Sequence, residues 1–215
     1  MSKPMSDSII FPKIAQTIDT ARSTDITVER RKHLDHLSHV IQEHLSAHGS
    51  IALNFICTHN SRRSQLAQVW CATLAGHFDL PINGYSGGVE ITAFNPRAVE
   101  TLRAQGFVLN NKYNSASSAN NPEYQVYFGQ NLDPAHCFSK IFDHPINPSE
   151  HFIAMMTCGH ADENCPFIPG ALARLPFRFD DPKQFDDTPL EQEKYNERSL
   201  EIARELYYIL QNIAV

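Results

Sequence analysis

The run Cys57-Thr58-His59-Asn60-Ser61-Arg62-Arg63-Ser64 joins a strand-like stretch, Ile51-Ala52-Leu53-Asn54-Phe55-Ile56, to a helical one. Leu66, Ala67, Val69, Trp70 and Leu74 of the latter can pack against a sheet. A cysteine and an arginine enclosing five residues, placed between a buried strand and a helix, constrain the fold more than any other feature of the chain. Five residues wrapped into a short loop can aim several N–H groups at one tetrahedral oxyanion. The helix that follows adds its positive N-terminus, and a planar guanidinium binds two oxygens at once. The same field favours a thiolate over a thiol, so Cys57 is a candidate nucleophile. Ser64 can hydrogen-bond the sulfur or assist its departure, and Asn60 can fix the loop. As a bare spacing the pattern is no better than chance; the strand before it and the helix after it are what the chemistry requires.

The rest of the chain supplies alternating elements. Residues 1–23 read as a polar, loosely attached lead-in. Val28, Leu34, Leu37, Val40, Ile41 and Leu45 follow helical spacing from Ser23 to Ala47, with Gly49 as the stop. Gly84-Tyr85-Ser86-Gly87-Gly88 reads as the end of a second strand. Asn95-Pro96 opens a helix that carries Ala98, Val99, Leu102 and Ala104. Residues 110–150, rich in Asn, Ser and Pro, read as a long irregular excursion. Its Tyr124, Tyr127, Phe128, Phe138 and Phe142 suit a satellite core better than a substrate lid. Phe152-Ile153-Ala154-Met155-Met156 is a further strand, and Leu200, Ile202, Leu206, Ile209 and Ile213 mark a helical tail. Strands alternating with helices imply an α/β fold with a mainly parallel sheet.

Charge and cysteine usage narrow the function. The net charge is -6 and no basic stripe is present, so nucleic acid and anionic membranes are excluded as expected partners. No apolar run is long enough for a membrane span, and Met1 to Thr20 lacks the apolar stretch of a signal peptide, so the expected location is cytoplasmic. Five cysteines, an odd number, argue against a disulfide framework. Cys71 and Cys137 are expected to be buried packing residues. Five histidines, His33, His36, His39, His44 and His48, precess around one helix and suit a solvated face.

Two further constellations remain. Cys158 and Cys165 lie seven positions apart, too far for an easy disulfide unless the segment between them rearranges. They fit a redox pair, buried packing residues, or zinc ligands with His160. Asp180-Asp181-Pro182 can hold a general acid for a leaving oxygen, or simply start a turn.

The loop Cys57 to Gln65, with Tyr85-Ser86-Gly87-Gly88 and Asn95-Pro96-Arg97-Ala98, resembles the low-molecular-weight protein tyrosine phosphatases and, more closely, the thioredoxin-coupled arsenate reductases. The resemblance covers about residues 51–110 and 151–213. It implies a four-stranded, mainly parallel sheet flanked by helices in residues 51–215, preceded by an N-terminal helical extension (1–50) and interrupted by an insertion at 112–150. It implies an enzyme acting on a small oxyanion, arsenate or a phosphate ester. Cys57 would be the nucleophile, Arg63 the anion-binding guanidinium and Asp181 the general acid. Cys158 and Cys165 would be the second and third thiols of a relay, and Thr58, His59, Asn60, Ser61, Arg62, Arg63 and Ser64 would line the substrate. Thioredoxin, or for a phosphatase a phosphotyrosine protein, would be the partner; no metal or cofactor is implied. A non-catalytic phosphate-binding module is the third reading. Three positions depart from the family: His59 replaces a usual Gly, Arg62 a frequent Cys, and Gln68 a frequent Glu that helps the reductases hold potassium.

Overall fold

The computed structural model describes residues 9–112, 120–159, 161 and 167–214. Strand β1 (Ile9–Ile10) and helices α1 (Pro12–Arg22) and α2 (Val28–His48) lead into β2 (Ile51–Cys57). Then follow α3 (Arg63–His77), β3 (Ile82–Gly88), α4 (Pro96–Ala104) and the short strands β4 (Val108–Asn111), β5 (Tyr124–Tyr127), β6 (Gly129–Gln130) and β7 (Ala135–Cys137). The chain finishes with β8 (Phe152–Met156), β9 (Ala171–Pro176), a 3-10 turn over Pro182–Phe185 and α5 (Glu191–Gln211).

The main sheet has four parallel strands in the order β3-β2-β8-β9, so β2 is flanked on both sides. Alternation divides its side chains between two layers. Leu53, Phe55, Ile153 and Met155 join the large core with Trp70, Leu34, Ile41 and Ile202 from the helices. Asn54 and Ile56 face the other way, where Ile56, Ala154, Met156 and Cys158 form a smaller cluster closed by Phe142 and Ile168. One face of the sheet thus carries helices, while loops supply this second cover.

The helices begin and end where local chemistry dictates. Thr27 caps α2 by accepting the Arg30 N–H, and Gly49, at a left-handed φ of 76°, terminates it. The Arg30 guanidinium makes two hydrogen bonds, of 2.7 and 2.8 Å, to the buried Glu205 carboxylate and ties α2 to α5. The Trp70 indole donates to Ser199 Oγ at 2.9 Å, tying α3 to α5 as well.

Two readings of the sequence are corrected. The described part of the lead-in is not loose: α1 buries Ile14, Ile18 and Ala21 in the main core, a helical spacing hidden among polar neighbours. The 110–150 excursion is more ordered than its composition suggests. Strands β4, β5 and β7 form an antiparallel sheet, β6 pairs with β1, and Val126, Phe128, Ala135 and Cys137 join the main core, not a satellite. The fourth strand of the main sheet, Ala171–Pro176, has no clear apolar signature because it is an edge strand, half-buried, with an arginine in its middle.

Gly87 lets a connecting segment cross the end of β3, and Gly88 lets the phosphate loop pack against it. A Cβ on Gly87 would stand 2.3 Å from the Phe142 Cα, and one on Gly88 would stand 2.7 Å from the Asn60 nitrogen. Backbone cannot yield as a side-chain tip can. Gly87→Ala is therefore expected to lower unfolding free energy by roughly 1–3 kcal/mol, the usual cost of overpacking, measured by urea denaturation. A change under a few tenths of a kcal/mol would show that this crossing is slack.

Candidate active site

Strand β2 delivers Cys57 to the carboxyl edge of the sheet, in a central position where open α/β sheets place their ligands. The loop then reverses through Asn60, which holds a left-handed φ of 44° that asparagine tolerates. Its carbonyls are all engaged from outside. Val89 and Glu90 N–H groups donate to Thr58 O, and the Ser139 and Thr92 hydroxyls donate to His59 O. Gln65 Nε2 donates to Asn60 O, and the Asn95 N–H donates to Ser61 O. In a trans peptide the N–H points away from the carbonyl. Bonding the carbonyls outward therefore turns the next N–H groups, those of His59, Asn60, Ser61 and Arg62, to the opposite side. The first turn of α3 adds N–H groups that have no intrahelical acceptor. That combination is an anion cradle.

The cysteine is held by a short relay. Asn60 Nδ2 donates to Ser64 Oγ at 2.8 Å, and Ser64 Oγ lies 3.1 Å from the Cys57 sulfur. With a lone pair of its oxygen already engaged, the Ser64 hydroxyl can direct its proton at the sulfur. On the far side of the loop, Asn60 Oδ1 accepts from the Lys140 N–H at 3.0 Å and from Gln65 Nε2 at 3.2 Å.

The two arginines diverge. Arg63 donates to Phe179 O at 2.9 Å and to Asp181 Oδ2 at 2.6 Å. Asp181 also accepts the Lys183 N–H and so caps the 3-10 turn, while its neighbour Asp180 is largely exposed. The expected guanidinium and the expected acid thus meet, and of the two aspartates it is Asp181 that does so. The Arg62 side chain, expected to line the substrate, is instead committed to Tyr195 OH at 2.6 Å and Asp186 Oδ2 at 3.1 Å. Tyr195 donates in turn to Asp186 Oδ1 at 2.7 Å; burial and this carboxylate push its phenol well above the usual range. Arg97 extends the cluster to Asp187 and Glu191, whose carboxyl is held below its ordinary range by the Asp187 N–H and by Arg97. This second anchorage fastens the segment carrying Asp181 to the phosphate loop. Asp186 and Tyr195 carried no local signal in the sequence, because their roles exist only across the fold.

His59 sits at a half-exposed position, 3.4 Å from Glu90. Cys158, just beyond β8, is buried beside the loop: its sulfur lies 3.6 Å from Thr58 Oγ1 and accepts the Ala161 N–H at 3.4 Å. Cys165 and His160 lie outside the described residues, and with them the zinc alternative. Among the described residues, no three or more His, Cys, Asp and Glu side chains converge on a metal position. Cys71 and Cys137 are packing residues, as expected, and burial pushes both thiols up to about 12. No described helix is long and apolar enough to cross a membrane.

No family model matches the chain. It is 30% identical over 128 residues to an arsenate reductase of Staphylococcus haemolyticus, covering 60% of this chain and 76% of that one. It is also 30% identical over 141 residues to an arsenate reductase of Bacillus licheniformis, covering 66% of this chain and 79% of that one. Among solved structures, a low-molecular-weight protein tyrosine phosphatase from T. tengcongensis superposes with a TM-score of 0.51 at 14% identity, covering 76% of this chain and 100% of that one. That likeness supports the fold. With a cysteine-led anion cradle at the end of the central strand, the chain belongs to the arsenate reductase family, has the fold of a low-molecular-weight phosphatase, and is a cysteine-dependent enzyme acting on tetrahedral oxyanions.

Proposed function

We propose that the protein reduces arsenate to arsenite through a thiol relay of Cys57, Cys158 and Cys165. The observation that carries this reading is the Cys158 sulfur resting against Thr58, the residue next to Cys57. Arsenate enters the cradle and displaces the Asp181 carboxylate as the partner of Arg63. The Cys57 thiolate attacks arsenic, and one oxygen leaves as water after taking up protons. The Cys158 thiolate then attacks the Cys57 sulfur. The sulfur–arsenic bond breaks with its electron pair kept on arsenic, which leaves as arsenite, while the two cysteines become a disulfide. Cys165 attacks Cys158 and expels the Cys57 thiolate, and a dithiol protein of the thioredoxin type reduces the Cys158–Cys165 disulfide.

A second reading, hydrolysis of phosphate monoesters such as phosphotyrosine, draws on Asp181. A carboxyl 2.6 Å from Arg63 is placed to protonate a departing ester oxygen, a task for which the reductase has less need.

Cys57→Ser is expected to abolish turnover of arsenate and of aryl phosphates while oxyanion binding, followed by calorimetry, survives. Turnover by the purified variant would place the nucleophile elsewhere. Cys158→Ser is expected to abolish arsenite release in a single turnover, and Cys165→Ser to abolish only recycling with thioredoxin. Wild-type protein that cleaves aryl phosphates and releases no arsenite is a phosphatase. In that case Asp181→Asn slows esters with poor leaving groups more than esters with good ones, on the order of 100-fold; equal losses across a leaving-group series make Asp181 structural.

A further inference from the structure

Lys140 is 1% exposed, yet it carries an ammonium that the proposed chemistry does not use. Its backbone is part of the loop's foundation: the N–H donates to Asn60 Oδ1 at 3.0 Å and the carbonyl accepts the Gly88 N–H at 2.8 Å. Its side chain runs back beneath the loop. There the ammonium reaches Phe138 O at 3.5 Å and lies 4.7 Å from the centre of the Phe138 ring. Phe138 O also accepts Gln65 Nε2 at 2.8 Å, so the ammonium and the Gln65 amide share one carbonyl. Gln65 Oε1 is buried with no donor among the described residues. An ammonium has three protons to give, and among the described residues this one makes a single hydrogen bond, at 3.5 Å.

A buried charge so thinly partnered is an expensive way to fill space. A methionine would fill it at less cost, because burying an ammonium sacrifices its hydration. Burial accordingly pushes the Lys140 pKa down to about 8, with Glu123 and Cys137 acting in the opposite direction. The groups nearby are themselves engaged: Glu123 bonds His136 at 2.7 Å and lies 3.8 Å from Lys112. The charge therefore has another use, and what it stands behind is the Asn60–Ser64–Cys57 relay.

We propose that Lys140 is a positioning residue whose ammonium is a built-in cation beneath the phosphate loop. By attracting Phe138 O, the carbonyl that also accepts the Gln65 amide, it holds Gln65 and through it Asn60 in the arrangement that aims Ser64 at the Cys57 sulfur. This inference rests on Cys57 being the nucleophile and is independent of whether arsenate or a phosphate ester is the substrate. A cavity of about 580 Å3 lined by Lys140, Gln68, Tyr85 and His136 adjoins the ammonium and is large enough to admit a small amine.

The test uses the full chain, reading alkylation of the Cys57 peptide by iodoacetamide with mass spectrometry, together with the melting temperature. Lys140→Met is expected to slow alkylation on the order of tenfold, a scale set by misplacement of reacting groups, with the melting temperature unchanged or raised. Lys140→Ala is expected to slow it similarly and to be rescued by ethylammonium but not by propanol. Should the methionine variant fail to fold, the alanine variant with added amine decides alone. Alkylation rates within twofold of wild type in the folded variants overturn the proposal, as does an alanine variant that ethylammonium does not restore. A wild-type Cys57 no more reactive than the buried Cys71 and Cys137 overturns the nucleophile reading as well.

Discussion

The outward hydrogen bonding of the phosphate-loop carbonyls is the constraint on which the site depends. A loop of this length could collapse onto its own backbone groups, and a free loop would do so. Here Thr58, His59, Asn60 and Ser61 each have a carbonyl claimed by a group outside the loop. The planar peptide then does the rest, presenting N–H groups on the side where an oxyanion must bind. The cradle is thus preorganised before any substrate arrives, the condition under which fixed dipoles are most effective in catalysis.

Some of the groups that brace the loop come from the segment between β7 and β8. Ser139, Lys140 and Phe142 belong to a strap that crosses the end of β3 and touches the loop from behind. The strap can approach because Gly87 presents no side chain to it, and Gly88 leaves the same room to the phosphate loop. Strands β4, β5 and β7 anchor the strap's near end, and Asn147 binds its far end to Ser86 O and Phe142 O. The segment from β5 to β8 is therefore part of the foundation of the site, with Phe128 in the main core and Phe142 against the smaller cluster.

Adjacent arginines give the loop two different attachments. Arg63 holds Asp181, so its guanidinium has an anionic partner, and in the proposed reaction the incoming oxyanion takes the place of that carboxylate. Arg62 keeps its contact with Tyr195 and Asp186 in the buried base of the same segment. The consequence is a carboxyl that can leave its arginine without its segment leaving the loop.

Much of this molecule was legible in the order of its residues. The strand–loop–helix run from Ile51 to Leu74 could be read because a buried strand, a cysteine-led loop and an amphipathic helix are local patterns with local causes. The same holds for Thr27 and Gly49 at the ends of α2, Asn95-Pro96 at the head of α4, and the packing roles of Cys71 and Cys137. Tertiary structure alone decided that Arg62 turns to Asp186, 124 positions away, and that Lys140, 80 positions from Asn60, lies beneath the loop. It also decided that Ala171–Pro176 completes the sheet, and that a polar-looking lead-in and an Asn-rich excursion belong to the core. The physical reason is the range of the forces. Helix caps, turns and hydrophobic periodicity act within a few residues, whereas the partner of a buried charge and the strand beside an edge are chosen by packing between segments that meet only after folding.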